Sequence, residues 1–313
     1  MSAPARIAFA GTPQFAVPTL ETLIASGASV PLVLTQPDRR AGRGRQLSAS
    51  PVKRAAAARG LRVAQPESLG SPTAIDDLGA APDLLVVVAY GLLLPPPMLE
   101  WPRLGCVNLH ASLLPRWRGA APIQHALLAR DPTTGVSLMR IERGLDTGAV
   151  YLERSTPIGA RETAGELHDR LSLLAAEMLA AALPELLEGT LAALPQQESL
   201  ATHAPKIAKA DAALDWRRGA HDLDARVRAF APWPVAETRL ADGARLRVWR
   251  AEPVGGETRA QPGTVLGAGP AGIDVATGDG VLRLTKVQPP SGRVMDAGAY
   301  VAAHPLHGAA FLS

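Results

Sequence analysis

The segment Gly105-Cys106-Val107-Asn108-Leu109-His110 ends an apolar run with an amide and an imidazole two positions apart. Side chains alternate faces along a strand, so Asn108 and His110 project from one face, at the end where the chain enters a Pro- and Gly-rich stretch. An amide N–H can donate to an oxygen that gains negative charge, and an imidazole can take and return a proton; together they suit acyl transfer. A third group, Asp146, lies in the glycine-flanked loop Gly144-Leu145-Asp146-Thr147-Gly148. Within reach of His110, its carboxylate would hold the ring and stabilise the imidazolium formed on proton uptake; alone, an Asp in such a loop serves equally well to bond its own turn. Cys106 falls on the same face by the same count, which leaves a Cys/His nucleophile as an alternative. A reactive thiolate needs an accessible, electropositive setting, whereas a lone cysteine inside an apolar strand is more often packing.

These groups need a scaffold that brings separated strand ends together. The first half of the chain alternates short apolar runs with helical stretches, the pattern of an α/β fold with a doubly wound, mostly parallel sheet. Strands are expected over 5–10, 29–34 and 61–64, and helices over 13–26 and 52–59. Residues 84–89 are continuous Leu/Val followed by Ala, the mark of a strand buried on both faces. In open α/β sheets ligands bind outside the carboxyl ends of the strands, where the Asn108/His110 pair falls. Segments 136–141 and 149–153 flank the Asp146 loop and read as a hairpin with a wide turn. A helix over 163–188 follows, with Pro184 expected to kink it or end it early and Gly189 placed to terminate it. Residues 35–50 lack periodicity and read as an exposed loop, and 190–207, with Pro195 and Pro205, as a linker. Beyond it comes one helix over 220–229, then Gly-punctuated β segments at 245–249, 263–266, 272–276 and 281–287, the spacing of a small β-barrel. The expected division is a catalytic domain over 1–189, a linker over 190–207 and a second domain over 208–313. Trp216 and Trp233 are expected in the core of that second domain or between the domains, and Arg226 and Arg228 on a helix face toward solvent or a polyanion.

Composition removes several classes. With 313 residues, 47% apolar content and one cysteine, the chain can bury two cores and cannot form an internal disulfide. No Cys/His cluster has zinc spacing, so no metal is expected. Gly11-Thr12-Pro13 lacks the three-glycine dinucleotide fingerprint, and no Walker-type sequence is present, so neither NAD nor ATP has a visible cradle. The chemistry must then use an already activated donor. No signal region or membrane-length apolar stretch is seen, which points to a cytoplasmic protein. Net charge is only +3, yet eight basic residues and no acid lie between Arg39 and Arg62. Such a run is either a solvated face or a phosphate-contacting device.

The residues carry a resemblance over nearly the whole chain. It rests on Phe9-Ala-Gly-Thr-Pro-Gln-Phe-Ala16, Thr35-Gln-Pro-Asp-Arg-Arg-Ala-Gly-Arg-Gly44, Val86-Val-Val-Ala-Tyr-Gly91, Asn108-Leu-His-Ala-Ser-Leu-Leu-Pro-Arg-Trp-Arg-Gly-Ala-Ala-Pro-Ile-Gln124 and Gly144-Leu-Asp-Thr-Gly148. The Asn-x-His…Ser-Leu-Leu-Pro pattern with a later Asp resembles folate-dependent formyltransferases generally. The Arg/Gly loop and the long continuation after Pro115 resemble the methionyl-tRNA formyltransferases in particular. That resemblance implies a Rossmann-like formyltransferase domain with an OB-like carboxyl-terminal barrel that binds tRNA. It implies 10-formyltetrahydrofolate as donor, initiator methionyl-tRNA as acceptor, and Asn108, His110 and Asp146 as catalytic residues; a monomer is the default expectation. Val88, Ala89, Tyr90, Gly91, Leu92, Ser112, Leu113, Leu114 and Pro115 would line the folate pocket, and Arg39, Arg40, Arg43 and Arg45 would contact tRNA. The stretch Arg228–Pro234 resembles a family segment that usually has Asn where this chain has Ala231. Two alternatives stay open: a formyltransferase or formate-releasing hydrolase that acts on a small molecule, which activity without RNA would identify, and an RNA-binding module with a silent site.

Overall fold

The computed structural model describes residues 4–41, 46–70, 76–306 and 309–312. Its contacts gather into two compact units, the first comprising 1–122, 133–156 and 168–204, the second 123–132, 157–167 and 205–313.

In chain order the first elements are β1 (Ile7–Gly11), α1 (Val17–Ala25), β2 (Val33–Leu34), β3 (Arg39–Ala41), β4 (Gln46–Ser48), α2 (Pro51–Ala58) and β5 (Val63–Ala64). They are followed by β6 (Leu84–Val88), α3 (Pro96–Glu100), β7 (Cys106–His110), β8 (Arg118–Gly119), α4 (Pro122–Leu128), β9 (Thr133–Arg140), β10 (Val150–Pro157), α5 (Ala164–Glu188) and β11 (His203–Ala204). The main sheet has the order β10-β9-β7-β6-β1-β2-β5. The pairs β5/β2, β2/β1, β1/β6 and β6/β7 are parallel, and β9 runs antiparallel to β7. Every residue of β1 and β6 is buried, as their unbroken apolar sequences require of central parallel strands. The chain moves outward from β1 to β5 and returns on the other side of β1 at β6. The loops after β1 and β6 therefore diverge at a switch point, where Thr12 Oγ1 donates to the Tyr90 carbonyl oxygen at 2.9 Å.

Several local expectations need correction. The stretch 35–50 is not all loop: β3 and β4 pair antiparallel with Arg39 opposite Ser48 and Arg40 opposite Leu47. The helix expected over 13–26 opens with a 3-10 turn at Gln14–Ala16 before α1 begins at Val17. Pro184 does not stop α5, which runs on to Glu188. Pro184 faces solvent, while Leu179, Leu183 and Leu186 stay buried, and that packing outweighs one lost main-chain hydrogen bond. Residues 190–204 lie along the first unit: β11 pairs in parallel with β8, and Leu194 exchanges main-chain hydrogen bonds with Val150.

The second unit carries α6 (Ala220–Phe230), then β12 (Ala236–Arg239), β13 (Arg245–Val254), β14 (Val265–Gly269), β15 (Gly272–Ala276), β16 (Val281–Gln288), β17 (Met295–Asp296) and α7 (Ala297–Ala303). Its sheet is antiparallel in the order β12-β13-β16-β15-β14, with β17 on β16. The closing segment bridges both edges, Leu312 to Arg239 beside β12 and Ala310 to Thr264 beside β14, which turns an open sheet into a closed one. Trp216 is buried, stacks on Phe311 and donates from Nε1 to Thr238 Oγ1 at 3.0 Å. Trp233, expected to be buried, is 48% exposed. Arg228 does not reach for solvent: it is buried and donates to Asp224 at 2.8 Å. Arg226 is spent on the Asp211 carbonyl and the face of Phe230. Among the described residues no helix is long and apolar enough to cross a membrane.

Candidate active site

The site grows from β7. Asn108 sits opposite Val87 on β6 and Met139 on β9, and His110 opposite Ser137 on β9. Four of the five residues of β7 are buried; Asn108 is the one that is not, so the strand presents its amide at an opening. His110, 6% exposed, is held by two neighbours. Its Nε2 lies 2.9 Å from the Trp117 carbonyl oxygen. A carbonyl can only accept, so Nε2 carries the hydrogen and Nδ1 is left toward Asp146, whose Oδ2 is 3.7 Å away. That separation is too long for a hydrogen bond, and it becomes a charge contact only when the ring is protonated.

Asp146 is itself anchored. Its Oδ2 accepts from the Gly119 main-chain N–H at 2.8 Å. Its backbone has φ 53°, the left-handed region, and its carbonyl accepts from Gln196 Nε2 at 2.8 Å. The same amide nitrogen donates to the Gly148 carbonyl at 2.8 Å. The strap of Trp117, Arg118 and Gly119 that serves both His110 and Asp146 is fixed in turn by Thr202, whose Oγ1 accepts from Trp117 N and whose carbonyl accepts from Arg118 N, each at 2.9 Å. A Cβ on Gly119 would meet the Ala204 carbonyl oxygen at 2.7 Å, so only glycine lets β8 approach β11 this closely.

The structure therefore brings His110 and Asp146 together and places Asn108 on the strand that carries His110. Val88 ends β6 and Ala89 through Leu92 follow it, and Ser112 through Pro115 follow its parallel neighbour β7, so the two segments leave the carboxyl ends of adjacent strands. The second is stiffened by Ser112 Oγ donating to the Arg116 carbonyl at 2.6 Å and by Leu114 N donating to Ser137 Oγ at 3.0 Å. In the first, Ala89 and Gly91 flank buried Tyr90, and both have positive φ, 47° and 88°. The Tyr90 hydroxyl has no partner among the described residues, and burial pushes it up to about 12. Arg39 and Arg40 are exposed on β3; Arg43 and Arg45 lie outside the described residues.

Cys106 is not the nucleophile. Its thiol is packed in the core with Leu85, Val87 and Met98, and burial pushes it up to about 12, the opposite of what a reactive thiolate needs. A cavity of about 430 Å³ in the second unit, lined by Arg161, His221, Asp224, Arg228 and Glu252 among others, holds none of the residues above. Its Arg228–Asp224 and Arg161–Glu252 pairs already satisfy each other at 2.8 and 2.6 Å. Sequence reasoning missed Trp117, Gly119, Gln196 and Thr202. The first two act through main-chain groups, and the others come from a segment far along the chain.

The sequence matches the family described as Formyl transferase over residues 5–183, and Formyl transferase, C-terminal domain, over 206–305. Relatives named methionyl-tRNA formyltransferase include one from Methylococcus capsulatus, 55% identical over 97% of this chain and 98% of its own length. Another, from Halorhodospira halophila, is 51% identical over 95% of this chain and 96% of its own. An N-formyltransferase from Helicobacter canadensis, solved with folinic acid and dTDP-3-aminofucose, superposes with a TM-score of 0.63 at 15% identity, covering 90% of this chain and 98% of that one. HypX from Aquifex aeolicus, solved with tetrahydrofolic acid, superposes at 0.62 with 16% identity over 96% of this chain, which spans 47% of HypX. At such identities the two structures speak for the fold alone. The near full-length identity to named enzymes, joined to a strand-end Asn/His pair with an anchored Asp, leads to one conclusion: this chain belongs to the methionyl-tRNA formyltransferase family.

Proposed function

We propose that this chain transfers the formyl group of 10-formyltetrahydrofolate to the α-amino group of methionine carried on initiator tRNA, with Asn108, His110 and Asp146 as its catalytic residues. The observation that carries the assignment of roles is the arrangement of His110, with Nε2 tied to a carbonyl and Nδ1 facing a carboxylate at 3.7 Å.

The donor brings a formyl group already activated by its folate nitrogen, so no nucleotide is consumed. A flat heterocycle suits a place between the segments 88–92 and 112–115, which follow neighbouring parallel strands and offer main-chain polar groups beside apolar Leu92 and Leu114. Asn108 donates to the formyl oxygen as the amine attacks, a contribution of about 3 kcal/mol in comparable sites. His110 takes the proton released by the amine at Nδ1, the nitrogen not engaged by Trp117, and returns it to the departing nitrogen. Asp146 offsets the charge on the ring while the proton is held. It does not orient the ring by a hydrogen bond; that part falls to Trp117.

Arg39 and Arg40, with Arg43 and Arg45 beyond them, contact the phosphates of the tRNA acceptor end, and the second unit follows its backbone. In this reading the protein works as a monomer in the cytoplasm. The test is transfer of labelled formyl from 10-formyltetrahydrofolate to methionyl initiator tRNA, beside uncharged tRNA, a small amine and water. Label confined to the charged tRNA is the expected result. Label on the small amine, or released as formate, would keep the site and overturn the acceptor.

A further inference from the structure

We propose that Gln196 is a positioning residue for the reaction: its side-chain amide clamps the Asp146 loop in the one conformation that sets the carboxylate beside His110. This rests on the reading of His110 and Asp146 as the proton-handling pair.

The orientation of the Gln196 amide is decided by its neighbours. Arg118 Nε can only donate and lies 3.0 Å from Gln196 Oε1, so the amide nitrogen must face the other way, toward the loop. There its two hydrogens meet the Asp146 and Gly148 carbonyl oxygens, both at 2.8 Å. These two carbonyls bracket the turn in which Asp146 holds its left-handed φ of 53°. Arg118 is rigid in turn: it is 2% exposed, and its Nη1 donates to both carboxylate oxygens of Glu198, at 3.0 and 2.8 Å. Its chain neighbour Gly119 supplies the N–H that holds the Asp146 carboxylate. One glutamine side chain thus joins the main chain of the loop to the strap that grips its carboxylate. Without it, Asp146 keeps the Gly119 bond to its carboxylate but loses the bond to its own carbonyl, the loop loses the one to Gly148, and at 3.7 Å from Nδ1 the carboxylate has no direct bond of its own to the ring. A displacement of about 1 Å at such a site costs up to about 100-fold in rate.

The experiment measures kcat and KM for formyl transfer by the intact protein carrying Gln196→Ala, Gln196→Met, Asp146→Asn and each pair of Gln196 and Asp146 changes, with folding checked by circular dichroism. Gln196→Met fills the same space without donors and serves if the alanine variant is poorly folded. The expected result is a fall in kcat of about 10- to 100-fold for the Gln196 variants, KM for donor and tRNA within about 2-fold, and almost no further loss when Asp146→Asn is already present. Normal kcat in folded Gln196 variants, or the same full loss with and without Asp146→Asn, would overturn the clamp. Normal turnover in Asp146→Asn alone would instead bring down the reading of the pair, and the clamp with it.

Discussion

A carbonyl bonds one nitrogen of His110 and a carboxylate stands near the other, so in the proposed reaction one side of the ring is held still and the other is left for the proton. Removing the ring should cost about 10² to 10⁴ in kcat, and Asn108→Ala about 10² to 10³, with both proteins folded. Cys106→Ala should leave turnover within a few-fold, because its thiol belongs to the core; steady-state kinetics on the three variants separates these outcomes. Asn108 and His110 were legible as a candidate pair because residue type and strand alternation carry the signal, whereas Asp146 stood out only as an acid in a glycine-flanked loop whose approach to His110 the spacing did not give. Trp117 and Gly119 were not legible, since each contributes a main-chain group that any residue possesses, at a place only the fold defines. Gln196 lay in a proline-bearing stretch, fifty residues from the loop it holds.

The central strands were readable from their unbroken apolar runs, whereas the β3/β4 hairpin was not. Its three-residue strands carry Arg39 and Arg40 and offer no apolar alternation, so only the pairing itself reveals them. The two exposed arginines thus stand on a paired strand, one toward each of its faces, rather than on an unstructured loop. Arg39→Glu with Arg40→Glu should therefore weaken tRNA binding and flatten its log–log salt dependence by about 1 to 2 units, with kcat at saturating tRNA nearly unchanged. Binding titrations at several salt concentrations check this; an unchanged slope would return the hairpin to plain solvated surface. In α5 the rule that proline ends helices failed for a comparable reason. The cost falls on one exposed main-chain group, and the buried leucines on the other side decide the outcome.

Across the molecule, charge holds the second unit in a pH-dependent way. Glu166 accepts from Arg250 Nη2 at 2.5 Å and, in a capping box at the start of α5, from Thr163 N at 2.8 Å. The Arg250 bond first, and the Thr163 main-chain bond next, hold its carboxyl at about 2 against an ordinary 4.5. A lowered carboxyl stabilises the fold above its unfolded value and stops doing so as pH falls, so this contribution is full above about 4.5 and gone by about 2. Thermal unfolding of the parent and Glu166→Gln should differ at pH 6 and converge near pH 2, the difference shrinking in high salt because both side chains are partly exposed. The change of texture along the sequence marks the β-rich stretch that follows residue 205, but not the inclusion of 123–132 and 157–167 in the same unit. The way residues 190–204 lie along the first unit was not legible either, because hydrogen bonds between distant main-chain groups leave no mark on composition.

That placement bears on how such enzymes can be recombined. The match to the formyl transferase domain ends at residue 183, yet Gln196 and Thr202, which brace the loop and strap of the candidate site, lie beyond it. A crossover at the helix end would hand the brace of the first unit to a foreign parent, whereas one after Ala204 would carry it along. Between these points the boundary of a domain by descent and the boundary of a working part are different places in the chain.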